Sequence, residues 1–163
     1  NRADHDAWAA RVYPRPGILH TLPTATAISA HVPVDLELPG CPIDKRQLQE
    51  TISALLNRRA PVLPGHSVCA ECKRRGNVCV LVAHGTPCLG PATRAGCGAL
   101  CPSFARGCYG CFGPAESPQP APLTRRWIAL GMAPEAARDA WAGIQNNAPP
   151  FRAEAERLER GDA

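Results

Sequence analysis

The chain has 163 residues, with 18 basic and 14 acidic side chains and a net charge of +4 at pH 7. Aromatic residues make up only 5% of it, against 14 Gly and 18 Pro, so a conventional apolar core would be thin. The only compact basic run, Lys73–Arg75, lacks aromatic stacking partners, which argues against nucleic-acid binding, and no apolar stretch is long enough to span a membrane.

Three elements are predicted before residue 61. Residues 4–13 form a short helix that ends before Pro14. Residues 31–38 alternate apolar and polar side chains, which is typical of a strand. A helix begins at Asp44, where Asp44 and Gln47 resemble a capping box. The strand's apolar residues are Val32, Val34, Leu36 and Leu38, and the helix carries a stripe of Leu48, Ile52, Leu55 and Leu56.

The remainder is irregular up to about residue 122. Within it, residues 78–83 form either a short buried strand or a helical turn, and residues 113–123 form an extended Pro-rich connector. Thr124 then caps a short helix that Gly131 ends. Pro134 starts another helix, for which Ala137, Trp141 and Ile144 form one side. Residues 151–160 are charged and Ala-rich, and we expect at most a solvated terminal helix.

Nine cysteines dominate the chemistry of this chain. Eight follow the spacing C-x2-C-x6-C-x8-C, then eight residues, then C-x3-C-x6-C-x2-C. Four thiolates are what one tetrahedral metal ion or one iron–sulfur cubane requires. The first set is Cys69, Cys72, Cys79 and Cys88; the second set is Cys97, Cys101, Cys108 and Cys111. The ninth, Cys41, lies on the turn before the predicted helix, where backbone N–H groups favour a thiolate.

Iron–sulfur clusters, structural zinc and disulfides are all compatible with eight cysteines. Zinc modules usually use two C-x2-C pairs a dozen or more residues apart, whereas each set here has one pair and shorter gaps. The chain opens without a secretory signal, so we expect a reducing compartment, where disulfides are rare. Spacing therefore favours iron–sulfur over zinc and zinc over disulfides. His66, which forms a His-x2-Cys pair with Cys69, is more simply a loop histidine than a ligand.

Five motifs together point to a known family. They are Pro39-Gly40-Cys41-Pro42-Ile43-Asp44, His66-Ser67-Val68-Cys69-Ala70-Glu71-Cys72 continuing to Cys79, Gly85-Thr86-Pro87-Cys88-Leu89-Gly90-Pro91, Ala95-Gly96-Cys97-Gly98-Ala99-Leu100-Cys101-Pro102 and Arg106-Gly107-Cys108-Tyr109-Gly110-Cys111. They closely resemble the small, electron-transferring subunit of cytosolic [NiFe] hydrogenases, best of all the sulfhydrogenase delta type. That family shares its N-terminal domain with the 20-kDa-type subunit of respiratory complex I.

The resemblance implies a role for every cysteine. The first set would hold a distal [4Fe–4S] cluster, with His66 as an alternative to Cys72, because many relatives use a His-x2-Cys pair there. The second set would hold a medial [4Fe–4S] cluster. Cys41 matches the last ligand of a proximal [4Fe–4S] cluster, whose other ligands come from a flavodoxin-like N-terminal half absent from this sequence. A separate chain that supplies this half is one way to complete it.

The implied fold is α+β and largely irregular: a loop-rich iron–sulfur domain with a few short helices, preceded by the last strand and helix of a flavodoxin-like domain. Its parts would be 1–60, the flavodoxin-like remnant; 61–113, the two-cluster domain; and 114–163, the connector and C-terminal helices.

The implied function is cytoplasmic, non-catalytic electron transfer between a nickel–iron large subunit and a flavin or iron–sulfur reductase for NAD(P). The alternatives are a zinc-stabilised module and a degenerate scaffold of the same complex, neither of which conducts electrons.

Overall fold

A computed structural model describes residues 4–15, 17 and 26–161. They fall into two compact units, Asn1–Val34 and Asp35–Ala163, and are mostly helical and loop-rich. No helix in these residues is long and apolar enough to cross a membrane. The α-helices are α1 (His5–Val12), α2 (Lys45–Leu56), α3 (Val68–Arg74), α4 (Val80–His84), α5 (Leu100–Ser103), α6 (Pro120–Ala129), α7 (Pro134–Trp141) and α8 (Pro149–Glu159).

The first unit contains the predicted N-terminal helix. The Asp4 side chain accepts a hydrogen bond from the Ala7 N–H at 2.8 Å, which caps the start of α1. Trp8 and Tyr13 pack edge to face with ring centroids 5.7 Å apart. The helix prediction for residues 4–13 is confirmed.

The strand predicted at residues 31–38 is wrong. The N–H groups of His31 and Val32 donate to the carbonyl of Ile28, so this segment begins as a continuation of a 3₁₀ turn. The residues that follow, up to Gly40, have bend or irregular backbone. A strand requires a neighbour that takes its ladder hydrogen bonds, and alternation of side chains does not provide one. The α+β class is therefore corrected to helical and loop-rich for the described residues.

Helix α2 starts where the sequence predicted. The Asp44 carboxylate accepts from the N–H groups of Arg46 and Gln47 at 3.0 and 2.9 Å. The Gln47 side chain extends to the Ala95 carbonyl, 3.5 Å away. The Asp44 cap is thus confirmed, and the α2 side chain that lies three residues after it contacts the cysteine-rich loops.

Helices α6, α7 and α8 share an aromatic core, and we call residues 120–159 the helical region. Trp127, Trp141 and Phe151 are each 1% exposed. The Trp141 ring centroid lies 5.2 Å from those of both Trp127 and Phe151. The Trp141 Nε1–H donates to Thr124 Oγ1 at 2.8 Å, which satisfies the indole in the core.

Two predictions for this region need correction. Helix α6 begins at Pro120, inside the predicted connector, because prolines are tolerated in a first turn, where no N–H partner is needed; Thr124 lies within the helix and does not cap it. Helix α8 is not merely solvated, since Phe151, Glu154 and Leu158 are buried. The helix that starts at Pro134 is confirmed, although Ile144 lies beyond its end and is exposed.

Candidate functional site

Three loop segments hold the cysteine sets in place, and we call residues 65–116 the loop region. Isolated antiparallel bridges join Ser67 to Arg94 and Thr93 to Pro114. Backbone hydrogen bonds of 2.9 Å extend the pairing, including Val68 N–H to the Thr93 carbonyl and Glu116 N–H to the Gly65 carbonyl. The chain before the first set, the link between the sets and the chain after the second set are therefore bound side by side.

The first set surrounds one cavity. Cys69 and Cys72 lie one turn apart on α3, Cys79 is the N-cap of α4, and Cys88 lies on the following loop. All four line a cavity of about 100 Å³, together with apolar residues such as Val80 and Pro102. Residues 78–83, predicted as a strand or a helical turn, adopt the helical alternative in α4 and place Cys79 at the cavity.

Gly90 keeps space open between two sulfur atoms of the first set. A methyl group on Gly90 would lie 3.2 Å from Cys88 Sγ and 3.8 Å from Cys69 Sγ. Any side chain there would fill the volume that a bound group needs between these sulfurs. The space and its thiol lining thus fit a group larger than a side-chain methyl.

The second set is also brought together. Cys97 lies on the loop before α5, Cys101 lies in α5, and Cys108 and Cys111 follow it. Cys97 is close enough to Cys101, Cys108 and Cys111 to interact electrostatically with each thiol.

Backbone N–H groups point at sulfur in both sets. Cys88 Sγ accepts from Gly90 N–H at 3.4 Å and from Cys108 N–H at 3.2 Å. Cys108 Sγ accepts from Gly110 N–H at 3.4 Å. Such bonds stabilise negative charge on sulfur, and the one from Cys108 to Cys88 joins the two sets directly.

Burial raises the pKa of several thiols in the two sets. It raises the pKa of Cys108 to about 12, outweighing the hydrogen bond from Gly110. Burial likewise raises the pKa of Cys69, with a smaller contribution from the neighbouring thiol of Cys88. A cation bound beside these sulfurs would favour their thiolate forms.

Cys41 is exposed, as is Cys79 of the first set, whereas the seven other cysteines are buried or half-buried. Although burial raises the pKa of Cys111, the Cys41 N–H donates to that thiol and partly opposes the rise. The turn at Cys41 therefore lies against the second set. The predicted strand on its N-terminal side is absent, but α2 follows it as expected.

Helix α2 exposes the stripe that its sequence predicted as an apolar face. The side chains it buries are those of Gln47, Thr51 and Ala54. The stripe residues Leu48, Ile52, Leu55 and Leu56 are 37%, 51%, 57% and 79% exposed. An apolar stripe usually faces a core, so this one is available to another polypeptide surface.

His66 and Cys72 have different surroundings. The exposed His66 imidazole Nε2 is 2.8 Å from Arg74 Nη2, and because a guanidinium only donates, Nε2 is the acceptor. Cys72 lines the cavity of the first set.

Sequence reasoning missed Glu71 and a groove. The Glu71 carboxylate accepts from the N–H groups of Gly96 and Ala99 at 3.0 and 3.1 Å, although nothing in the residue pattern marks it. A groove of about 430 Å³ lies over Cys88 and Cys108, and Trp127 and Ile144 form part of its other side.

Comparison with known proteins finds hydrogenase subunits that are similar to part of this chain. No protein-family model matches the chain. It is 44% identical over 87 residues to the delta subunit of sulfhydrogenase 2 from Pyrococcus furiosus, covering 53% of this chain and 37% of that protein. It is 42% identical over 103 residues to a vhu subunit of the F420-non-reducing hydrogenase of Methanocaldococcus jannaschii, covering 53% and 36%. With the corresponding F420-non-reducing hydrogenase subunit of Methanothermobacter marburgensis it shares 32% over 124 residues, covering 63% and 40%.

Thiol-lined loops and these matches together place the chain among relatives of hydrogenase subunits. More particularly, the predicted resemblance is confirmed: the chain is similar to the sulfhydrogenase delta subunit and to subunits of F420-non-reducing hydrogenases. It spans only about two fifths of the length of these relatives.

Proposed function

We propose that this chain is the electron-transferring part of a hydrogenase small subunit, and that its two cysteine sets each hold one [4Fe–4S] cluster. Homology to the sulfhydrogenase and F420-non-reducing hydrogenase subunits supports membership of a hydrogenase complex. The observation that carries the cluster assignment is the common cavity of Cys69, Cys72, Cys79 and Cys88, kept open by Gly90. The clusters would supply one-electron oxidation and reduction.

The arrangement of the thiols favours clusters over single zinc ions. Zinc binds sulfur at about 2.3 Å, so four zinc ligands must converge to about 4 Å from one another. Among the described residues, no three His, Cys, Asp or Glu side chains are arranged to hold one metal ion. All nine cysteines are free thiols, and those of the first set surround a shared space. Four thiols around one shared space suit a polynuclear group.

This chain's own residues would fix each cluster's position and charge. Backbone N–H groups of Gly90, Cys108 and Gly110 point at ligand sulfurs and would stabilise their thiolates. The Cys108-to-Cys88 bond would connect a ligand of one cluster to a ligand of the other. His66 faces Arg74 and Cys72 faces the cavity, which supports Cys72 as the fourth ligand of the first set.

Cys41 would be one ligand of a third, proximal cluster. Its thiol is exposed, and the exposed apolar stripe of α2 follows it directly. A polypeptide packed on that stripe would be well placed to supply the remaining ligands. The partners of this chain would be a nickel–iron large subunit, which performs the catalysis, and a flavin or iron–sulfur reductase for NAD(P).

Anaerobic iron and sulfide analysis combined with EPR tests the cluster assignment. We expect about eight irons per chain and the signals of two reduced cubanes. A colourless protein with about two zinc atoms would contradict the proposal and support the zinc-stabilised module.

Hydrogen-dependent turnover of the assembled complex tests the relay. The double variant Cys108→Ser, Cys111→Ser should retain assembly and lose turnover, because the second cluster would lack two ligands. Undiminished turnover would instead support a scaffold that conducts no electrons.

A further inference from the structure

Glu71 lies in sequence between two cysteines of the first set, and its side chain contacts the loop of the second set. It lies on α3 between Cys69 and Cys72, where a short helix carries both first-set cysteines. Its two carboxylate oxygens each accept one backbone hydrogen bond, from Gly96 N–H at 3.0 Å and from Ala99 N–H at 3.1 Å. These two donors flank Cys97. One side chain therefore joins the helix of one set to the loop of the other.

The loop that Glu71 holds has a backbone conformation that needs support from its neighbours. Gly96, Gly98 and Ala99 have φ values of +142°, +66° and +54°, which L residues rarely adopt without support. Ala99 is fully buried and precedes α5, which carries Cys101. Hydrogen bonds to a carboxylate are stronger than those to a neutral acceptor, so Glu71 is the group best suited to stabilise this conformation.

Arg75, at the C-terminal end of α3, adds a second contact to the same loop. It is the C-cap residue of α3, four positions after Glu71. A methyl group on Gly98 would lie 2.8 Å from its Nη2 atom, so the guanidinium covers the same loop. The two side chains lie on one side of α3 because residues four apart are neighbours on a helix surface. The 96–99 loop is thus bound to α3 at both ends and at its centre.

From these contacts we propose that Glu71 is a positioning residue for the second cysteine set, fixing Cys97 through the two N–H groups beside it. This role rests on the proposed function only where it concerns the cluster; the positioning of the loop does not. Loss of the carboxylate charge would also shift the reduction potential of the second cluster to a more positive value, since a nearby anion disfavours the reduced state.

The experiment compares Glu71→Gln with Glu156→Gln, an exposed carboxylate on α8 that receives the same chemical change. Hydrogen exchange of the full chain as purified anaerobically reports the conformation of the loop, whatever group the chain holds. We expect amides 96–99 to exchange about tenfold faster or more in Glu71→Gln and to be unchanged in Glu156→Gln. Equal exchange in both variants would overturn the positioning role, whether or not the chain holds clusters.

Redox titration followed by EPR then reports the cluster. In Glu71→Gln the signal of the second set should shift in potential and line shape more than that of the first set. Glu71→Asp keeps the charge and shortens the reach, so it should change the line shape with a smaller change in potential. A change confined to the first set would overturn the proposal. If the parent chain contains no iron, the proposed function fails, and the exchange result still decides the role of Glu71.

Discussion

The loop region and the helical region become ordered by different means. In the helical region, three aromatic side chains, each 1% exposed, stack between α6, α7 and α8. In the loop region, isolated backbone bridges hold the segments together, and thiols are buried there beside aliphatic side chains such as Val68 and Leu89. One region thus buries apolar surface, which stabilises it without a partner, while the other also buries sulfur whose pKa is raised.

This difference bears on where chemistry can be located. An aromatic core offers no ligand to a metal, so metal binding would not stabilise it. Buried thiols would be stabilised by a bound cluster, because its cationic core would bind them as thiolate ligands. We therefore expect the loop region to depend on its bound group and the helical region to be indifferent to it.

The largest expected effect comes from Cys88→Ser. Cys88 lines the first cavity and accepts from both Gly90 and Cys108. Iron should fall by at least half, from about eight to four or fewer per chain, because the first cluster loses a buried ligand. Far-ultraviolet circular dichroism should still show α6–α8. Cys41→Ser, which changes an exposed thiol, is the control. Full iron content in Cys88→Ser would contradict the expectation that the loop region, unlike the helical region, depends on a bound group.

Phe151→Ala should instead weaken the helical region. Removal of this ring from the aromatic core should lower the free energy of unfolding by about 3–5 kcal/mol, measured by denaturant titration with tryptophan fluorescence. Phe104→Ala, at a ring that is 72% exposed, should change it by less than about 0.5 kcal/mol. Equal effects from the two phenylalanines would show that the aromatic core does not stabilise the helical region.

A smaller effect should come from Glu154, the buried carboxylate of α8. Burial alone would raise its pKa, but hydrogen bonds from Arg157 and Thr124 outweigh that and lower it. Its stabilising contribution is therefore present above the unfolded pKa of about 4.5 and is lost as pH falls through the lower folded pKa.

Glu154→Gln should cost about 1–3 kcal/mol at pH 7, and less as the pH is lowered through the acid range. Urea titrations at a series of pH values measure this difference. The exposed Glu156→Gln is the matched control and should be nearly neutral throughout. If the loss of stability in Glu154→Gln did not change with pH, the assignment of Glu154 as an ionised carboxylate in the folded chain would be wrong.

The smallest effect is expected on α2, outside both regions. Ile52→Ser, on the exposed stripe, should change the stability of this chain by less than about 0.5 kcal/mol. Ala54→Leu, at a fully buried position of the same helix, should cost about 1–3 kcal/mol through overpacking. Thermal unfolding of the two variants compares them directly, and the reverse ranking would mean that the stripe is covered within this chain.

Local signals in the sequence predicted much of the framework. Asp44 marked the start of α2, Pro134 that of α7, and cysteine spacing selected the residues that the structure gathers into sets. These features depend on neighbours a few positions away, which a sequence displays directly. The roles of those cysteines as cluster ligands stay predictions, as do the domain boundaries at 60 and 113.

Features that depend on distant partners were missed. The alternation at residues 31–38 indicated a strand, but pairing is a property of two segments. Helix α8 looked solvated because its buried Phe151 and Leu158 are separated by charged residues. The face that α2 buries depends on the segments packed against it. The role of Glu71 could not be predicted because its hydrogen-bond partners are backbone N–H groups, which every residue except proline has.

The burial of Cys88 and Cys108, each 8% exposed, has a consequence for the order of events during biogenesis. If the proposed clusters form, iron would reach these sulfurs either while the chain is still open or through the groove beside Trp127 and Ile144. Insertion of a cluster would then have to come before these two sulfurs are fully buried.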